Sequence, residues 1–220
     1  MSMTVWNQSE GPMSTDCYCL WCGRSLRRES SFLHLYQIDD VLCQVCRHEM
    51  SYRPKKIRID DIEVYSLYVY EGLTREMIIQ YKELNDEALF PVFLYPYAER
   101  LRRKYRGYTI VPVPSSEENN NKRGFRAVDE AFSLLQLDMA EMLTKKDSHD
   151  QKNTDFRNRH EIREHLVFVN KKINTDRILL VDDIVTTGET LKSCAEYLKE
   201  AGYRVQTCSI CYNKRFVNSV

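Results

Sequence analysis

Ile178-Leu179-Leu180-Val181-Asp182-Asp183-Ile184-Val185-Thr186-Thr187-Gly188-Glu189-Thr190 is the segment from which the architecture follows. Ile178 to Val181 is uniformly apolar and predicts a buried strand, with two carboxylates at its C-terminal end. In open α/β sheets that edge is where ligands bind. Thr186, Thr187, Gly188, Glu189 and Thr190 then form a loop into a helix predicted over Thr190 to Ala201, with Gly202 as its C-terminal cap. Backbone N–H groups of such a loop and of the helix start make an anion site. Gly188 lets the backbone approach a phosphate, and the threonine hydroxyls donate to its oxygens. Adjacent carboxylates repel that phosphate but accept hydrogen bonds from sugar hydroxyls one phosphate-length away. A sugar phosphate with two free hydroxyls therefore fits better than a bare phosphate.

Two other readings compete. An apolar strand ending in Asp-Asp also suits the Mg²⁺-holding strand of a P-loop ATPase, but that reading needs a Gly-x-x-x-x-Gly-Lys-Ser/Thr loop, which this chain lacks. The plainer alternative is an acidic turn capped by threonine. It leaves the coincidence of apolar strand, acid pair and Thr-Thr-Gly loop without a cause.

Upstream, strands alternate with helices. Val64 to Tyr70 is aromatic and β-branched and predicts a strand; Leu73, Met77, Ile78, Tyr81 and Leu84 recur at helical spacing. A second helix is expected from Asp86 to Tyr105, interrupted near Pro91 and Pro96. Thr109 to Val113 is a strand beside the acid strand, placing Ser115 and Ser116 at the same sheet edge. After a polar run, Lys122-Arg123-Gly124-Phe125 leads into a helix ending near Leu135. Leu166 to Val169 is a further strand, and Val205 to Cys211 is expected to close the sheet. The alternation predicts an α/β fold with a mostly parallel sheet flanked by helices.

With 220 residues, the chain has room for one real core and a small accessory module. Its formal net charge of zero excludes a general polycation, so nucleic-acid contact would rest on local patches. Met1 to Glu10 has neither a basic start nor an apolar stretch, and no apolar run approaches membrane-spanning length. A cytoplasmic protein without membrane insertion is expected. Its eight cysteines are then reduced, which favours metal binding or burial over disulfides.

Cys19-Leu20-Trp21-Cys22 and Cys43-Gln44-Val45-Cys46 stand twenty residues apart, each on a turn able to offer two thiolates to one tetrahedral ion. Cys19, Cys22, Cys43 and Cys46 are read as a structural zinc site with no open coordination position. Cys17 is an extra thiol in a poorer register; Cys194, Cys208 and Cys211 are read as buried apolar side chains. The expected division is a disordered leader over 1–16, a zinc ribbon over 17–50, a linker over 51–61 and the α/β domain over 62–220.

The acid-acid-threonine loop resembles the PRPP-binding signature of type I phosphoribosyltransferases. The resemblance implies that Asp182 and Asp183 hold ribose hydroxyls, that Thr186, Thr187, Gly188, Glu189 and Thr190 cradle the 5-phosphate, and that Mg²⁺ accompanies PRPP. It further implies that the turn at Ser115 and Ser116 receives pyrophosphate, with Arg123 as a candidate clamp beside Lys122 and Arg126. One departure is clear: purine-salvage members carry a general-base Asp where this chain has Thr186. Gln151-Lys152-Asn153 and Arg157 to Arg163 suit a hood over the ligand.

A four-cysteine ribbon, then Val-Pro-Val-Pro, Lys-Arg-Gly-Phe and Val-Asp-Asp-x-x-Thr-Thr-Gly-x-Thr, in that order, is similar to the ComF family from about Cys19 onward. Gly-Phe-Arg-Ala here replaces the family's frequent Gly-Phe-Asn-Gln. The resemblance implies a role in natural transformation, acting on or near incoming single-stranded DNA, with a ComFA-like helicase or ATPase as partner. Two alternatives stand beside it: an active transferase on an unknown, non-purine acceptor, and a non-catalytic scaffold for the ATPase. Arg100, Arg102, Arg103, Lys104 and Arg106 interleave with Tyr105 and Tyr108, which suits DNA stacking; equally, Leu101 and Tyr105 are spaced to anchor a solvated helix.

Overall fold

The computed structural model describes residues 18–26, 41–145, 166–168 and 173–215. The expected leader, Cys17 and the expected hood over Gln151 to Arg163 lie outside the described residues.

Strand β2 (Ile62–Val69) is buried almost throughout because Val64, Leu67, Tyr68 and Val69 leave it no solvent-facing edge. It pairs antiparallel with β1 (Tyr52–Ile59) and parallel with β7 (Arg204–Tyr212). β7 in turn pairs parallel with β6 (Arg177–Val185), and β6 with β3 (Thr109–Pro112). The sheet order is β1-β2-β7-β6-β3, mostly parallel as expected.

Two expectations are corrected. Residues 51–61 are not a linker: β1 is an edge strand, with Ile57 and Ile59 buried between exposed Arg53, Lys56 and Arg58. Its Pro54 and lysines mask a strand, yet they are what an unpaired edge carries to block further pairing. Val205 to Cys211 does not close the sheet either. β7 is its centre, which accounts for burial of Thr207, Cys208, Ser209, Ile210 and Cys211 alike.

Helices cover both faces. Leu179 and Val181 of β6 share one core with α1 (Gln44–Glu49), α2 (Gly72–Lys82), α3 (Pro91–Leu94), α4 (Ala98–Lys104) and α6 (Ala127–Ser133). Ile178 and Leu180 of β6 share the other core with Leu191, Cys194, Ala195 and Leu198 of α7 (Glu189–Glu200). The expected Asp86–Tyr105 helix is four short pieces, two of them 3₁₀ turns at Glu87–Leu89 and Tyr95–Tyr97, because Pro91 opens one piece and Pro96 is the second residue of another.

The polar run before Gly124 is itself a helix, α5 (Glu117–Arg123). The Ser116 hydroxyl caps its start, accepting from the Asn119 N–H at 3.3 Å, and Gly124 at φ 80° ends it. The strand expected at Leu166 to Val169 is β5 (Leu166–Phe168), which stands outside the main sheet in an antiparallel ribbon with β4 (Leu143–Lys145).

Because Ile57 is 1% exposed within the second core, Ile57→Ala is expected to cost about 2–5 kcal/mol of unfolding free energy in urea titration. A loss near zero would restore the linker reading.

Candidate functional site

The two β-α connections at the sheet's C-terminal edge part company. The chain leaving β3 lays α6 on the α2 face, and the chain leaving β6 lays α7 on the opposite face. A crevice between neighbouring strands whose connections diverge is where α/β folds bind ligands.

β6 runs on to Val185, so Asp182 and Asp183 are still in the strand, Asp182 opposite Ser209. Strand alternation sends them to different sides of the sheet end. Asp183 falls on the α2 side with Leu179 and Val181, and Asp182 on the α7 side with Ile178 and Leu180. A sugar astride the end of β6 meets both. Asp182 Oδ1 accepts the Asp183 N–H at 2.9 Å, and Asp183 Oδ1 accepts the Ile184 N–H at 2.6 Å. Asp183 Oδ2 is paired with Lys82 Nζ. Cys211 lies beneath this pair; burial pushes its thiol well up, and the Asp183 carboxylate adds to that, so it stays a neutral wall.

Thr186 and Thr187 are exposed, whereas Gly188 is buried and serves as N-cap of α7. Its φ of 77° favours glycine, and a Cβ there would stand 2.5 Å from Ile59 Cδ1. The hairpin turn after Ile59 also grips the helix. Lys192, in the first turn of α7, is 5% exposed and pairs with Asp60 at 2.7 Å and Asp61 at 2.9 Å. Its hydrogen bond holds Asp61 below the usual carboxylate range. The β1–β2 hairpin thus braces the loop from below while Thr186 and Thr187 face solvent.

From β3, the Val113 N–H donates to the Val181 carbonyl at 2.9 Å, bringing Pro114, Ser115 and Ser116 out beside the acid pair. Ser115 lines an open cavity of about 450 Å³ with Asn120, Asn121, Phe125, Arg126 and Glu141. The neighbouring cations are engaged within the fold. Lys122 pairs with Glu118 at 2.6 Å, and Arg126 with Asp129 at 3.1 Å and Glu141 at 2.8 Å. Arg123 Nε donates to the Lys82 carbonyl at 2.8 Å, tying the end of α2 to the end of α5. Sequence reasoning missed Lys82. The only available signal was a cation in the last turn of an amphipathic helix, where a solvated side chain is the default.

The sulfurs of Cys19, Cys22, Cys43 and Cys46 all lie within 4.8 Å of one another, Cys22 and Cys43 at 3.7 Å. Tetrahedral ligation at about 2.3 Å per Zn–S bond sets sulfurs about 3.8 Å apart, so the donor set fits one such ion. Gly23, at φ 69°, turns the first pair by donating to the Cys19 carbonyl at 3.0 Å; Cys43 is the N-cap of α1. Burial pushes the Cys19 thiol up, but N–H bonds from Cys22, Cys43 and Trp21 outweigh it and bring it down to about 7. Burial and the neighbouring thiols raise Cys46. The module shares the main core: Leu42 and Met50 are buried there, and Arg47 donates to the Val92 carbonyl at 2.5 Å.

On α4, Leu101 and Tyr105 are buried and Arg103 and Lys104 exposed, so Tyr105 anchors the helix and offers no stacking face. Lys104 Nζ sits 3.5 Å above the half-buried Tyr65 ring, and Arg100 donates to the Tyr52 hydroxyl at 2.8 Å. Cations of α4 and tyrosines of β1 and β2 therefore form one face. No described helix is long and apolar enough to cross a membrane.

Residues 121–215 match the family described as the Phosphoribosyl transferase domain. Together with the parallel sheet and the acid-pair loop at the divergent connections, this makes the chain type I phosphoribosyltransferase-like. Two relatives extend the likeness over most of its length. The Competence protein ComFC of Streptococcus pneumoniae (strain ATCC BAA-255 / R6) is 27% identical over 220 residues, spanning 87% of this chain and 98% of that protein. The Competence protein ComFC of Bacillus subtilis (strain 168) is 23% identical, spanning 84% and 89%. The chain is a ComFC-like protein. Adenine phosphoribosyltransferase structures from Trypanosoma brucei (9% identity, TM-score 0.37, 89% and 85% of the two chains) and Rhodothermus marinus (12%, 0.36, 77% and 99%) are similar too.

Proposed function

We propose that this is a ComF-type cytoplasmic protein of DNA uptake that binds PRPP, or a related ribose 5-phosphate, with Mg²⁺. The observation that carries the reading is the acid pair of β6 placed directly before an exposed threonine loop at the N-terminus of α7, in the crevice between diverging connections. The loop and helix amides with Thr186, Thr187, Gly188, Glu189 and Thr190 take the 5-phosphate. Asp182 and Asp183 accept the ribose hydroxyls, and Ser115 and Ser116, with Arg123 behind them, border the pyrophosphate. Mg²⁺ neutralises the diphosphate when bound. Zinc in the four-cysteine centre holds the N-terminal module on the core, and a ComFA-like ATPase is the partner.

The cavity beside Ser115 favours a second reading, transfer to a non-purine acceptor, because Asn120, Asn121 and Glu141 offer hydrogen bonds beside the Phe125 ring. Release of pyrophosphate on adding an acceptor distinguishes it from binding alone.

Calorimetric titration with Mg²⁺ and PRPP is expected to show binding that falls at least about tenfold in the Asp182→Asn, Asp183→Asn variant. A folded, metal-loaded protein that binds neither PRPP nor ribose 5-phosphate would sink the reading.

The zinc assignment predicts about one zinc per chain by elemental analysis and a lower thermal midpoint after chelation or Cys43→Ser. Metal-free protein of unchanged midpoint would exclude it.

For DNA, anisotropy with a labelled oligothymidylate should show affinity falling as salt rises. The Arg103→Ala, Lys104→Ala, Arg106→Ala variant should bind more weakly, with a shallower salt slope. Equal affinity and slope in variant and wild type would move the DNA contact off this face.

A further inference from the structure

We infer that Lys82 is a ligand-contacting residue that selects for negative charge on C1 of the sugar, so that the site prefers a 1-diphosphate to a simple 5-phosphate. The inference rests on the sugar-phosphate reading of the acid-pair loop and deepens it.

The phosphate loop belongs to the α7 face: Gly188 packs on Ile59 and Lys192 on the β1–β2 turn. Lys82 comes from the opposite face, at the end of α2, and meets the acid pair at Asp183. In a ribose 5-phosphate the C2 and C3 hydroxyls lie between C5 and C1. A sugar held by its hydroxyls at the end of β6, with its 5-phosphate on the α7 loop, therefore directs C1 away from that loop, towards α2 and the turn after β3. Lys82 is a cation standing there, in contact with Asp183.

Its chemistry suits the position. An ammonium group has three donor hydrogens, so it can keep its bond to Asp183 Oδ2 and still donate to a phosphate oxygen. Neither partner is sealed off, with side-chain exposures of 18% for Lys82 and 14% for Asp183. Partial burial strengthens a charge-assisted bond relative to one in open solvent. The side chain also starts from a fixed place, since Arg123 Nε holds the Lys82 carbonyl. Arg123 accordingly acts as a positioning residue for Lys82. Ser115 and Ser116, beyond the end of β3, lie at the same edge and complete the environment for a diphosphate.

The test compares Mg²⁺–PRPP with ribose 5-phosphate on the full chain by calorimetry, in wild type, Lys82→Met and Lys82→Arg. Methionine keeps the stem and the backbone carbonyl that Arg123 holds but leaves Asp183 without its cation; a thermal midpoint checks that each variant is folded, and Lys82→Arg restores the charge. PRPP affinity is expected to fall about tenfold or more in Lys82→Met, with ribose 5-phosphate changed less than about threefold and Lys82→Arg recovering much of the loss. A parallel fall for both ligands, or an unchanged PRPP affinity, would overturn the assignment. Wild type that binds neither ligand would instead bring down the sugar-phosphate reading itself, and this inference with it.

Discussion

A carboxylate placed largely out of solvent at the end of a central strand must be compensated, and that requirement organises this site. The Asp183 side chain is only 14% exposed, next to buried Cys211. It is met by a backbone N–H on one oxygen and by Lys82 on the other. For Lys82 to arrive there, α2 must stop at the sheet edge, and Arg123 takes up one of the carbonyls that its end leaves open. Tyr81, the preceding residue, points into the core and donates its hydroxyl to the Ala127 carbonyl at 2.8 Å. α2, α5 and α6 are thus joined around a single charge.

The other acid-bearing element is managed differently. Lys192 is a cation in the first turn of a helix, where the macrodipole disfavours positive charge. Asp60 and Asp61 reverse that local balance and tie a distant hairpin to the loop. The arrangement gives the glycine at 188 a structural necessity separate from any ligand, because Ile59 fills the space a side chain would need.

Much of this was legible from residue order, for identifiable reasons. The apolar run into Asp-Asp and the Thr-Thr-Gly turn are local in sequence, so strand, loop and helix follow from a short segment. The cysteine pairs were legible because ligand spacing is itself local. What escaped was set by partners far away in the chain. Ile57 and Ile59 look like isolated apolar residues among cations until β2 is laid beside them. Glu117 to Arg123 has no apolar face to announce a helix, and only its caps reveal it. Lys82 and Asp183 are an ion pair that no pattern along the chain predicts. Lys122, Arg123 and Arg126, expected as a clamp, also hold partners within the fold, and residue order does not announce those ties.

The central position of β7 bears on how the protein is made. Its neighbours β2 and β6 are both synthesised before it, and neither touches the other in the finished sheet. Until Arg204–Tyr212 leaves the ribosome, the β1–β2 hairpin and the β3–β6 pair are two half-sheets, each with an apolar edge exposed. Insertion of a last-made strand between them closes long loops late, a topology that folds slowly and leaves those edges open to mispairing meanwhile. In a nascent chain of this design, the partner edges of β2 and β6 stay unpaired until β7 reaches them.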